Sequence, residues 1–128
     1  MRLLLDTHAL LWYYFGDPQC SATARLLIDD VNNIKYVSPA VYWELAIKVQ
    51  LGKFTLAESY EDFIQHAIFD NNFPILHVEP RHTAVLVSLP LHHKDPFDRL
   101  MVAQAMVEGI PLVSADPALD AYPITRHW

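Results

Sequence analysis

The chain has 128 residues, 52% of them apolar and 19% charged, which fits one domain with its own core and excludes a disordered tail. Nine basic against fifteen acidic residues leave a net charge of −6, so nucleic acid is not held by phosphate neutralisation alone; a basic partner or a cation site suits such a surface. A single cysteine, Cys20, excludes an internal disulfide and a cysteine-rich zinc module and fits a reducing cytoplasm, and no apolar run approaches the ~20 residues of a membrane helix.

Met1 to Phe15 carries an acid at position 6 and no small-residue cleavage site, so it does not read as a signal peptide. Within it, Arg2 to Asp6 contains Leu3-Leu4-Leu5, a short apolar run closed by an acid, which predicts a buried strand. Thr7 to Phe15 and Ser21 to Asp30 read as helices around a Gly16-Asp17-Pro18 turn, and Lys35 to Val37 as a second strand. Ser38-Pro39 opens a helix with an N-cap serine and a proline in first position, running to Leu51 before Gly52. Ser59 to Asn71 predicts another helix, Ile75 to Val78 a third strand, and Arg81 to Leu89 a further helix. Asp98 to Glu108 is helical again, with Asp95 as cap, Pro96 as first residue and Gly109 as terminator. Leu112 to Ser114 reads as a fourth strand and Ile124 to His127 as a fifth. The alternation predicts one α/β domain over residues 1–128, built on a mostly parallel sheet of four or five strands.

In open α/β sheets, ligands bind beyond the carboxyl ends of the strands. Asp6 ends the first strand and Asp116 follows the fourth, so acids from the two ends of the chain meet at one crevice. Each acid also has an ordinary explanation. Asp6 suits a helix N-cap, Glu44 an exposed pair with Lys48, and Asp116 a turn before Pro117. Asp95 is assigned mainly to capping, and Asp120 to a solvated face. Asp98 shares a helix face with Met101, Val102 and Ala105 and points inward, and Glu44 stands among apolar neighbours. Two carboxylates ~4 Å apart repel by about 4 kcal/mol at an effective dielectric of 20, and three such pairs rival the ~5–15 kcal/mol stability of a domain. Convergence of Asp6, Glu44, Asp98 and Asp116 is tolerable only if acids protonate, spread apart or bind a hard cation. An all-oxygen set favours magnesium or manganese over zinc.

These residues, in this order, resemble the PIN-domain family, and specifically the small VapC-type ribonuclease toxins. The resemblance rests on Leu5-Asp6-Thr7-His8, on Ser38-Pro39 with Trp43-Glu44-Leu45-Ala46-Ile47-Lys48, and on His93-Lys94-Asp95-Pro96-Phe97-Asp98-Arg99-Leu100 with Ala103-Gln104-Ala105. Leu112-Val113-Ser114-Ala115-Asp116, Leu119, Tyr122 and Trp128 complete it. It implies a three-layer α/β/α fold and a Mg2+-dependent endoribonuclease, Mn2+ being an alternative ion, that hydrolyses RNA phosphodiesters with metal-activated water. The family's acidic ligands fall on Asp6, Glu44, Asp98 and Asp116, with Asp6 and Asp116 as direct ligands and Glu44 and Asp98 completing the coordination or positioning the water. Thr7 matches the hydroxyl residue after the first acid, and Ser114 stands where threonine is usual. Asp95, Arg99 and the histidine pair belong to the subgroup's pattern without an assigned role. The resemblance further implies a cytoplasmic homodimer, for which Tyr13, Tyr14, Phe15 and Tyr60 either offer aromatic surface or pack the core. It also implies a small antitoxin whose C-terminal segment lies across the toxin and sets an arginine near the acids.

Two other classes compete. A haloacid-dehalogenase-type phosphatase also starts with an aspartate after strand one, but needs a second aspartate where this chain has His8. A catalytically silent PIN scaffold that binds RNA or protein requires an incomplete acidic set, whereas all four acids are present. A zinc site on His92-His93 is not expected, because adjacent residues rarely chelate one ion and no cysteine or helical histidine accompanies them.

Overall fold

A computed structural model describes all 128 residues. The elements in chain order are β1 (Arg2–Leu5), α1 (Thr7–Tyr14), α2 (Ala22–Asp29), β2 (Ile34–Val37), α3 (Pro39–Gln50) and α4 (Tyr60–Ile64). They continue with α5 (Pro80–Leu86), α6 (Pro96–Glu108), β3 (Leu112–Val113) and β4 (Arg126–His127). The four strands form one parallel sheet in the order β2-β1-β3-β4. Leu5 of β1 lies opposite Val37 on one side and Val113 on the other. Successive strand side chains point to opposite faces, yet Leu3, Leu4 and Leu5 are all fully buried. Both faces of β1 are therefore covered by helices, the condition for a parallel sheet. The α/β reading of the sequence holds.

Several boundaries differ from the expected ones, each for a local reason. The expected strand Ile75 to Val78 shrinks to one parallel bridge between Ile75 and Val37. The Leu76 amide donates to Val37 at 2.9 Å, but the Leu76 carbonyl accepts the buried side-chain amide of Gln104 at 2.9 Å. A side chain from α6 thus takes the acceptor, and His77 and Val78 run on exposed to Pro80, where α5 begins. The helix expected over Ser59 to Asn71 is in two parts, α4 capped by Ser59 and then a wider π turn over Gln65–Phe69. The fifth strand is limited to Arg126 and His127. A short 3-10 turn, Pro117–Ala121, lies between β3 and β4.

The predicted caps are where the sequence puts them. Ser38 accepts from the Ala40 amide at 3.1 Å, and Asp95 accepts from the Phe97 and Asp98 amides at 2.8 and 3.1 Å. Gly109 ends α6 at φ 63°, in the left-handed region, and a Cβ built there meets nothing. The only obstacle to a side chain at that position is conformational, costing roughly 1–2 kcal/mol. Gly109→Ala should therefore lower unfolding free energy by about 1 kcal/mol with an unchanged denaturant slope. Urea titration followed by circular dichroism checks this.

Candidate functional site

The chain runs from β1 through α1 and α2 to β2 on one side, then returns to place β3 on the other side of β1. That reversal opens a crevice beyond the carboxyl ends of β1 and β3. Asp6 leaves β1 directly into it, its amide held by the Val113 carbonyl at 3.1 Å. The Asp6 side chain is buried and caps α1, accepting from the Ala9 amide at 2.8 Å. Ser114 is fully buried; its hydroxyl donates to Asp6 and accepts from the Asp116 amide at 3.1 Å. One hydroxyl so links the first acid to the last. Burial raises the Asp6 carboxyl above its usual range, against the opposing hydrogen bonds from Ser114 and Ala9.

Glu44 reaches the same crevice from α3 and is buried. Its Oε1 accepts from the Thr7 hydroxyl at 2.6 Å, and its Oε2 lies 3.3 Å from the Lys48 ammonium. Both its oxygens are engaged. The pair with Lys48 expected from the spacing exists, but its acid faces inward.

Asp98 enters from the first turn of α6, where the helix dipole favours an acid. Even so, its carboxyl is pushed up to about 7, first by burial and then by the nearby Asp95, with Asp6 and Glu44 adding to the effect. Asp116 begins the 3-10 turn, its Oδ1 accepting from the Ala118 amide at 3.0 Å. Between Asp98 and Asp116 stands His93. Its Nε2 is 2.9 Å from Asp116 Oδ2 and 3.4 Å from Asp98 Oδ2. One donor atom from each of the three residues falls within 4.8 Å of the others. Asp6 and Glu44 flank this group without joining it at that spacing.

Arg99 is not at the acids. Its guanidinium donates to the carbonyls of Leu89 and Pro90 at 3.0 and 2.8 Å and to the Tyr122 hydroxyl at 3.1 Å. That hydroxyl donates to Pro90 at 2.8 Å and accepts from the His93 amide at 3.0 Å. Arg99 and Tyr122 together fix the loop that carries His93. Asp95, besides capping α6, donates its own amide to His93 Nδ1 at 3.1 Å. Adjacency in the sequence directs attention to His92 with His93 as a pair, whereas the partner of His93 is Asp116, 23 residues on. Tyr122 is legible only as a family match. The polar density of His92 to Arg99 was the available signal.

The donor set suits a small hard cation. Opposite ligands of an octahedral Mg2+ lie ~4.2 Å apart, and one ligand atom from each of His93, Asp98 and Asp116 lies within 4.8 Å of the others, room for one such ion. Without such an ion the site is under electrostatic stress. Between about pH 4, where an unfolded aspartate titrates, and about 7, folded Asp98 keeps a proton that the unfolded chain has lost. Its contribution to stability therefore falls as pH rises through that window. In metal-free protein, Asp98→Asn should flatten the pH dependence there and raise stability above pH 7 by about 1–3 kcal/mol, the full three-unit shift being discounted for partial exposure. Thermal melts from pH 4 to 8 in chelator check this.

A family model described as PIN domain matches residues 3–124. No curated protein matches the sequence. Among solved structures, VapBC2 from Rickettsia felis, bound to a DNA fragment from its promoter, superposes with a TM-score of 0.71 at 17% identity, covering 99% of this chain and 98% of that one. FitAcB from Neisseria gonorrhoeae gives 0.71 at 16% identity over 98% and 96% of the two chains. VapBC-1 from nontypeable Haemophilus influenzae gives 0.63 at 16% identity over 99% and 97%. The shared fold and the matched model lead to one statement: the chain belongs to the PIN-domain family.

Proposed function

We propose that this chain is a metal-dependent endoribonuclease, the toxin of a cytoplasmic toxin–antitoxin pair, with magnesium or manganese as its ion. The observation that carries the reading is the gathering of Asp6, Glu44, Asp98 and Asp116 at one crevice, where of the four only Glu44 has a lysine or arginine partner. Asp6, Asp98 and Asp116 would hold the ion. When bound, it supplies positive charge to phosphodiester oxygens and lowers the pKa of a water. The chain's own residues do the orienting. Ser114 fixes the rotamer of Asp6, and Thr7 with Lys48 fixes that of Glu44, which would complete the coordination or position the water. The net charge of −6 is compatible with RNA because the ion, not the protein surface, neutralises the reacting phosphate.

Beside the acids a groove of about 460 Å³ is lined by Thr7, Leu11, Trp12, Lys48, Lys53 and Phe54, among others. Its apolar floor and two lysines suit the C-terminal segment of an antitoxin, and the VapBC and FitAcB neighbours support such a partner. The reading also includes a homodimer. Phe15, at 56% exposure, is the one of the four expected aromatic residues that stands mostly free; Tyr13, Tyr14 and Tyr60 pack against the core.

The purified chain should cleave single-stranded RNA with Mg2+ and stop in chelator. Asp6→Asn and Asp116→Asn should each lower the rate by roughly 10²-fold or more with an unchanged circular dichroism spectrum. A folded, partner-free chain that neither binds Mg2+ by calorimetry nor cuts any of several RNAs would instead be a silent binding scaffold. Saturating antitoxin should abolish cleavage; undiminished cutting would remove the antitoxin from the reading.

A further inference from the structure

Glu44 and Asp98 turn inward from α3 and α6, two helices that pack against each other beside the crevice. Successive residues of a helix are about 100° apart around its axis, so the residue before each inward acid stands to one side of it. Both of those residues are aromatic. Trp43 precedes Glu44 and Phe97 precedes Asp98, and their rings meet with 5.3 Å between centroids and planes 85° apart. Each helix thus supplies an acid to the crevice and a ring to its edge.

A single apolar side chain at a surface needs no explanation by itself. Trp43 has two further properties. It is 61% exposed, and no other large apolar residue of α3 or α6 is exposed in this way, so the edge carries one free ring and not a broad patch. A stable contact between copies of the chain needs about 800 Å² on each side, more than one ring supplies. Phe97, for its part, lies perpendicular to the indole, so it covers at most one indole face while bracing the ring by edge-to-face attraction. A braced indole with an open face is a surface on which a flat heterocycle stacks. Charge nearby suits the same ligand. Lys94, three residues before Phe97, is exposed and has no acid against it, which leaves its ammonium to a phosphate.

We propose that Trp43, braced by Phe97, is the platform on which an unpaired RNA base stacks when its phosphate lies at the acids. The proposal rests on the nuclease reading above and narrows its substrate. A base reaches the indole only out of a double helix, so the site takes single-stranded or looped RNA and refuses paired RNA. Trp43 changes no bond; it fixes the position of one nucleotide, and the chemistry at the phosphate stays with the acids. Every base has a face that stacks, so this contact selects for strandedness and not for sequence.

The test uses the full chain with Mg2+ and two probes, a single-stranded RNA of mixed sequence and the same RNA annealed to its complement. The unsubstituted chain should cut the first and spare the second. Trp43→Ala should raise KM for the single strand about tenfold and leave kcat within threefold, and Trp43→Phe should restore most of the loss. Mg2+ affinity by calorimetry and the sedimentation of the chain should be the same in all three. In stopped flow, the single strand should quench indole emission of the unsubstituted chain, and Trp43→Phe should remove that quench although Trp12 and Trp128 remain. A KM unchanged in Trp43→Ala, or a duplex cut as fast as the single strand, would overturn the platform and leave the nuclease reading intact. A Trp43→Ala chain that sediments as a smaller species would make this ring a contact between copies and overturn the proposal. No cutting of any RNA by the unsubstituted chain would overturn both readings.

Discussion

Like charges crowded into a space with little water dominate this molecule. Two parallel strands lying side by side aim their carboxyl ends at the same crevice, so whatever follows them is forced together. Here acids follow both strands, and two helices add one more each. Burial first, and then repulsion from Asp95, Asp6 and Glu44, pushes the Asp98 carboxyl up to about 7. Most of the polar architecture answers it: Ser114 and the Ala9 amide offset the burial of Asp6, the Thr7 hydroxyl and Lys48 take both oxygens of Glu44, and His93 stands between Asp98 and Asp116. On the reading proposed above, a cation takes the negative charge that remains.

Hydrogen bonds one layer out from the acids hold them in a fixed arrangement. The loop from Leu89 to Asp95 has no regular structure of its own, yet its carbonyls and amides are satisfied by Arg99 and Tyr122. An arginine used in this way exploits its planar fork, which reaches several carbonyls at once where a lysine would reach one. Asp95 shows the same economy. One residue starts α6, contributes charge near Asp98 and fixes which nitrogen of His93 carries a proton.

Much of this was legible in the sequence, and the reasons are local. Leu3-Leu4-Leu5 before an acid can only be a strand buried on both sides, and Ser38-Pro39, Asp95-Pro96 and Gly109 mark helix ends through single backbone preferences. The meeting of Asp6 with Asp116 followed from where parallel sheets bind ligands. What was not legible depended on closure in space. Ile75 to Val78 has strand-like residues, but the Gln104 amide claims the Leu76 carbonyl from another element. Arg99 belongs to the family pattern without an assigned role, and only the folded chain shows its guanidinium tied to loop carbonyls. The contact of His93 with Asp116, 23 residues on, depends on how two loops close in space, which no spacing of residue types encodes.

The pairing of β1 with β3 has a consequence for synthesis. Leu4 and Leu5 find their partners Leu112 and Val113 108 residues further along the chain. Ser114, which orients Asp6, arrives at the same late moment. A nascent chain still attached to its ribosome therefore carries Asp6, Glu44 and Asp98 with no crevice to gather them. Closing so long a loop adds little to the final stability but sets the order of events. On the nuclease reading proposed above, translation itself becomes the safety catch: the chain gains a site able to cut RNA only after β3 has been made and paired with β1.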